Sequence, residues 1–243
     1  MKDLLRRCGR ELDVPLRRGF DIVAALAGLV LLLPLLAIIA VAVPLDTRGP
    51  VFYSQLRVGR GGKPFRLHKF RKFRDGAPEG DGLTRKNDSR MTRIGRLLER
   101  SKLDELPQLW NILVGDMSVV GPRPETLDFA DCFSGPHRAV LDHKPGLFGP
   151  NQAIFRNESS LYPDDRDPSE FYRRVLFPTK ANIDLAYFPR RTFWGDIGWI
   201  ARAGLAVFGL PGVRAGPSAP DLLLRATPPA PASPDQERIL DVI

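Results

Sequence analysis

From Ile22 to Leu45 the chain runs 24 residues without a charged side chain. No other stretch constrains the fold as strongly, because such a run must be covered either by a hydrocarbon layer or by a protein core. At about 1.5 Å per residue, a straight helix of this length crosses a hydrocarbon core of roughly 30 Å. Pro34 stands near the middle of the run. Proline lacks a backbone donor and clashes with the preceding turn, so it kinks or breaks a helix there. Both flanks are basic: Arg17 and Arg18 before the run, Arg48, Arg57 and Arg60 after it. Such clusters stay on the cytoplasmic side of a membrane. A re-entrant hairpin, entering and leaving through one leaflet, satisfies both flanks. A straight span and a buried soluble helix remain open, while a secretory signal is disfavoured because no small-residue cleavage site follows.

The remaining length of this 243-residue chain suits one domain of ordinary size. Residues 50–56 and 64–70 alternate like strands about the Gly59–Gly62 cluster, which predicts an antiparallel hairpin. Helices are predicted over 91–101, with Ile94, Leu97 and Leu98 on one face, over 104–114, over 125–142 and over 168–188. Residues 75–90 and 145–151 read as loops. Aromatics and arginines crowd 187–199, and 197–210 is apolar with one charge, a pattern of a segment lying at a membrane surface. Seven prolines between Pro211 and Pro234 predict a disordered tail. The expected fold is α/β and membrane-associated, with a re-entrant N-terminal helix, a small antiparallel strand element and interfacial amphipathic helices. Its parts are an anchor over 1–48, a catalytic domain over 49–210 and the tail over 211–243.

Net charge is +8, from 36 basic and 28 acidic residues, which favours a polyanionic partner: nucleic acid, nucleotide phosphate or anionic lipid. Nothing resembles a nucleic-acid recognition motif, so nucleic acid is not expected. Cys8 and Cys132 have no metal-ligand spacing, and His68, His137 and His143 show no paired pattern, which argues against a disulfide framework and a zinc site.

Three constellations carry possible chemistry. In Lys102-Leu103-Asp104-Glu105-Leu106-Pro107, adjacent carboxylates precede a proline suited to a first helical turn. Neighbouring helical residues point about 100° apart, so one carboxylate can attack phosphorus while the other holds Mg²⁺. The plainer reading is an N-cap aspartate beside a solvated glutamate. Eight basic residues and no acidic one lie from Arg57 to Arg74, able to neutralise a pyrophosphate or to meet lipid headgroups. Arg123, between Pro122 and Pro124, is held stiffly enough to be preset toward an anion or a flat base, or simply marks a rigid turn.

Taken in order, the apolar run, Gly49-Pro50-Val51-Phe52-Tyr53-Ser54-Gln55, Arg57-Val58-Gly59, Lys69-Phe70-Arg71, Leu103 to Leu109, Gly115-Asp116-Met117-Ser118, Gly121 to Pro124, Lys144-Pro145-Gly146 and the stretch from Asp184 to Asp196 resemble the bacterial sugar transferases, the monotopic polyprenyl-phosphate phosphoglycosyltransferases. The resemblance covers roughly residues 15–210. It implies a transferase at the cytoplasmic face of the bacterial inner membrane, in polysaccharide or glycoconjugate biosynthesis. Asp104 would attack the β-phosphate of a UDP-sugar, releasing UMP, and a polyprenyl phosphate would then take the phosphosugar. Glu105 would help to hold Mg²⁺. Lys69, Arg71 and Arg96 map onto phosphate-binding residues, and Pro122, Arg123 and Pro124 onto a nucleotide contact. A homo-oligomer is compatible with the resemblance. The alternative is an inactive member serving as a membrane scaffold for glycan assembly. The chain departs from the family pattern at Leu33-Pro34, at Glu99, over 148–152 and over 156–158.

Overall fold

The computed structural model describes residues 2–76, 83, 88–163 and 167–207. Helix α1 (Lys2–Leu31) and helix α2 (Leu33–Asp46) meet at Leu32 and bend by 62°. Pro34 lies in the first turn of α2, where a missing N–H leaves no bond unmade but the ring prevents α1 from running on. Bonds from Leu32 N to Gly28 O (2.9 Å) and from Leu36 N to Leu32 O (2.8 Å) carry the ladder around the corner. Among the described residues no single helix is long and apolar enough to cross a membrane, and the bent pair meets that test only jointly. The run is therefore bent, and it is not wholly buried either. Ala25 packs with Leu109, Ile112 and Val119, while Ile39 and Val43 pack with Phe70 and Leu98. The opposite side carries Val23, Val30, Leu31, Leu33, Ile38, Val41 and Leu45, each between 61% and 81% exposed.

Polar contacts lock α1 into the rest of the molecule. Arg18 donates to the carbonyls of Ile112 (2.6 Å) and Leu113 (2.7 Å), supplying partners that a helix C-terminus lacks. Asp21, itself buried, accepts from Ser118 Oγ (3.0 Å) and Val119 N (2.8 Å). Arg17 donates to Asp196, which also accepts from Arg191 Nη2 (2.8 Å) and the Tyr187 hydroxyl (2.7 Å).

Strands β1 (Phe52–Val58) and β2 (Pro64–Phe70) form the expected antiparallel hairpin, in register from Phe52 opposite Phe70 to Val58 opposite Pro64. A second pair was not expected: β3 (Ser118–Val120) runs parallel to β4 (Gly146–Phe148), inside the segment read as a loop. Two glycines permit it. A Cβ on Gly146 would lie 1.9 Å from Gly121 N, and one on Gly121 would lie 2.2 Å from Lys144 O. Backbone packs directly on backbone there, just before Pro122, and this fixes where Arg123 begins.

The helical expectations hold in part. Helix α3 (Arg93–Ser101) starts on Thr92, whose hydroxyl accepts from Gly95 N at 2.8 Å. Its Leu98 is buried but Leu97 points outward. Helix α4 (Gln108–Val114) starts later than expected, and its core side is Leu109 and Ile112 while Trp110 is exposed. Residues 125–142 form two 3-10 segments, Leu127–Cys132 and Gly135–Asp142, interrupted before Pro136. Helix α5 (Pro150–Ile154) follows β4. The helix expected over 168–188 is α6 (Pro168–Phe171), a π turn over Tyr172–Leu176 and α7 (Phe177–Tyr187). Pro178 cannot donate to the carbonyl four residues back, and the looser π turn lies where that bond is missing. Helix α8 (Phe193–Val207) holds the aromatic-rich segment, with Trp194 exposed. The tail over 211–243 and most of the loop over 75–90 lie outside the described residues.

Candidate active site

Helix α3 ends on Lys102, whose backbone is left-handed (φ 60°) and which is the only non-glycine residue with positive φ among the described residues. That conformation costs a side-chain-bearing residue about 1 kcal/mol. The reversal delivers Leu103–Glu105 as a single 3-10 turn ahead of Pro107. Asp104 is 3% exposed and Glu105 8%. Neither side chain caps a helix, so the reading as an N-cap with a solvated neighbour is set aside.

Glu105 Oε1 accepts from Lys69 Nζ at 2.9 Å and from Arg123 Nη2 at 3.3 Å. Burial pushes this carboxyl up, but Lys69 and Arg123 outweigh it and hold Glu105 well below the usual carboxylate range. Lys69 responds inversely: burial lowers it to about 8, with Glu105 and Asp104 opposing the fall. The Glu105 carboxylate is the main reason Arg123 holds its proton more tightly than an ordinary arginine. Asp104 goes the other way from its neighbour. Burial raises it, with Lys69 opposing and the Glu105 charge adding to the rise, and its Oδ1 is buried without a hydrogen-bond partner. A buried oxygen with no donor is an uncommon and costly arrangement. Two adjacent carboxylates thus differ in kind, one held down by two cations, the other pushed up by burial and left with one partnerless oxygen.

Both line a cavity of about 980 Å³ together with Lys69, Arg123, Lys72 and Lys102. The other expected residues are distributed less uniformly. Arg71 reaches the cavity wall, yet its guanidinium donates to the carbonyls of Pro50 (2.6 Å), Arg48 (2.9 Å) and Thr47 (2.8 Å), bracing the link from α2 to β1. Arg96 is exposed on α3, donates to the Met91 carbonyl (3.2 Å) and is not among the residues lining the cavity. Pro122 and Pro124 stay behind Arg123, their carbonyls accepting from Gly146 N (2.9 Å) and Arg57 Nη1 (3.2 Å). Glu99 faces the cavity and pairs with Lys72 at 3.5 Å.

Sequence reasoning missed a second polar group on the same wall. Lys180 on α7 donates to Glu125 Oε1 and Glu158 Oε2, both at 3.2 Å, and to the Tyr172 hydroxyl oxygen at 2.9 Å. In the sequence, Lys180 and Asp184 look like an ordinary surface pair one helical turn apart. Both are in fact buried, and burial drives Asp184 well above the usual carboxylate range. Among the described residues no group of three or more His, Cys, Asp or Glu side chains converges as a metal cage. Mg²⁺ does not require one: it takes one or two carboxylates and completes its shell with phosphate oxygens and water. The hard oxygen donors of Asp104 and Glu105 fit that demand.

The description "bacterial sugar transferase" belongs to the family model that matches residues 12–209, most of the chain and every residue of this site. The chain belongs to the bacterial sugar transferase family. Among curated relatives of this sugar transferase, the undecaprenyl-phosphate glucose phosphotransferase of Komagataeibacter xylinus is 36% identical over 202 residues, covering 80% of this chain and 36% of the relative. The exopolysaccharide production protein PSS of Rhizobium leguminosarum bv. phaseoli is 46% identical over 114 residues, covering 46% and 57%. The UDP-N-acetylgalactosamine-undecaprenyl-phosphate N-acetylgalactosaminephosphotransferase of Aeromonas hydrophila is 42% identical over 119 residues, covering 49% and 28%. The chain spans only part of the curated relatives it matches, from 28% to 66% of the length of the first three.

Proposed function

We propose that this sugar transferase moves a sugar-1-phosphate from a UDP-sugar to polyprenyl phosphate, in two steps through Asp104. In the first, an Asp104 carboxylate oxygen attacks the β-phosphorus, the bond from that phosphorus to the bridging oxygen breaks, and UMP leaves with the electron pair. In the second, a phosphate oxygen of the polyprenyl phosphate attacks the same phosphorus and Asp104 leaves as the free carboxylate. The products are a polyprenyl diphosphosugar and UMP. One observation carries the reading: a buried carboxylate with an unpartnered oxygen stands beside a paired one, in a cavity walled by Lys69 and Arg123. An anion approaching a diphosphate needs such fixed positive charge. Mg²⁺ held by Glu105 would supply further neutralisation of the diphosphate. The names of the relatives, which pair undecaprenyl phosphate with N-acetylgalactosamine, glucose or galactose, support the same donor and acceptor classes.

The bent pair α1–α2 is proposed to enter one leaflet of the inner membrane from the cytoplasmic side. The 62° bend and the exposed apolar side from Val23 to Leu45 support this. The test is to incubate detergent-solubilised protein with Mg²⁺, undecaprenyl phosphate and a set of UDP-sugars, and to measure UMP. UMP release from one sugar, lost in Asp104→Asn and on chelation, is expected. Full UMP release by purified Asp104→Asn protein would remove the nucleophile, and no UMP release by the unsubstituted chain with any UDP-sugar would leave another nucleotide-sugar or the scaffold reading.

A further inference from the structure

Two polar groups of different make-up line the cavity. Around the carboxylate pair stand Lys69, Lys102 and Arg123. The second is Glu125 and Glu158, which share Lys180, with the charges of Arg123 and Arg57 also reaching this pair. With its cations already engaged by carboxylates, this group offers acceptor oxygens to the O–H donors of a neutral group with many hydroxyls.

Glu158 is the member best placed to touch a ligand. Its side chain is 23% exposed, against 10% for Glu125 and 4% for Lys180. Both of its oxygens are fixed. Oε1 accepts from the Tyr162 hydroxyl at 2.9 Å and Oε2 from Lys180 Nζ at 3.2 Å. Each carboxylate oxygen carries two lone pairs, so each keeps one acceptor position. On the same wall Asn151 is 2% exposed, its amide is committed to the Lys180 carbonyl (2.9 Å) and to the Asp184 carboxyl, and its Oδ1 has no partner. With the amide so pinned, the direction of that orphan oxygen is set before any ligand arrives. A buried ion cluster is weak evidence of a purely stabilising role, because apolar replacements often stabilise as well or better.

We propose that Glu158 and Asn151 form the subsite that reads the hydroxyl pattern of the transferred sugar, and so determine donor choice. This rests on the function proposed above. The sugar remains joined to the phosphorus on Asp104 through both steps, whereas the nucleoside leaves after the first. Rigid acceptors therefore serve the group that is held longest. The relatives bear on the point too, since their names share undecaprenyl phosphate and differ in the sugar.

The experiment uses the full chain in detergent with Asp104→Asn, so that binding is read without turnover. Affinities are measured for UMP, UDP-glucose, UDP-galactose and UDP-N-acetylgalactosamine, with and without Glu158→Gln. Loss of one charge-assisted bond should weaken the preferred UDP-sugar about tenfold, narrow the preference among the three, and leave UMP within about twofold. A parallel fall for UMP would make this a nucleoside contact or a structural residue, and no change would make it neither; each overturns the proposal. Tyr162→Phe keeps the carboxylate and its Lys180 contact while freeing one oxygen, and should show the same selective pattern with smaller size. Should Glu158→Gln fail to fold, an unchanged sugar-to-UMP ratio in Tyr162→Phe overturns the proposal alone. If the chain binds none of the three UDP-sugars, the donor class falls and the subsite falls with it.

Discussion

Asp104 and Asp196 are buried to nearly the same degree, yet they stand in opposite surroundings. Asp196 receives Arg17, both Nε and Nη2 of Arg191, and the Tyr187 hydroxyl, which ties α1 to α8. Asp104 has an oxygen that receives nothing, and its neighbour Glu105 has taken Lys69 and Arg123. Burial alone therefore says little about a carboxylate. A satisfied one holds elements together, while an unsatisfied one in a cavity stores free energy that a ligand or a reaction can release.

Substitutions at the two aspartates should separate these roles. Asp104→Asn is expected to lower turnover by at least about a thousandfold while leaving the melting temperature unchanged or raised, since it removes a costly buried anion. Asp196→Asn should do the reverse, costing about 3 kcal/mol or more because two arginines lose their shared carboxylate. Thermal unfolding and UMP release measured on both proteins check the pair of outcomes; a stability loss confined to Asp104→Asn would break the distinction. Gly146→Ala, which drives a methyl into Gly121 N, should cost about 2 kcal/mol or more and lower activity only through the displaced Arg123 segment.

Titration sharpens the comparison further. Lys69 keeps its proton up to about 8 in the folded chain against 10.5 for the free side chain. Activity that needs the ammonium should therefore fall as pH rises through about 8, and Lys69→Arg should move that limb upward by more than one unit, read from kcat/KM. Between about 8 and 10.5 the unfolded chain binds more protons at this position than the folded one, so the Lys69 contribution to stability rises across that window. The smallest effect is expected at Lys102. Replacing it with glycine relieves the left-handed backbone and should add about 1 kcal/mol to stability, with a modest loss of activity as a cation near Asp104 disappears.

The sequence revealed elements whose signals are local and long. The uncharged run with a central proline foretold the bent helix pair, and the alternation around Gly59–Gly62 foretold the hairpin. Strands of three residues, such as Ser118–Val120 and Gly146–Phe148, leave no periodic trace, and their pairing depends on two glycines 25 positions apart in the chain. The site shows the same divide. The Asp104–Glu105 dipeptide and the Pro-Arg-Pro turn are visible as words, but Arg71 reads as one more phosphate-facing cation until its three carbonyl partners are seen. Lys180, Glu125 and Glu158 could not be grouped by spacing, because they come from three separate segments joined only by tertiary packing.

The contacts of Arg18 and Asp21 have a consequence for what the apolar run does for the rest of the molecule. These residues stand at the entrance of the apolar run, and they grip the end of α4 and the start of β3, the segments on either side of Gly115. The hydrophobic part is thus a foundation and not a tether: exchanging it for an unrelated greasy helix would remove part of the floor on which Asp104 stands. On the proposed placement in one leaflet, the depth at which that foundation settles would set, like a fixed gauge, the height at which the proposed water-borne donor and lipid-borne acceptor meet.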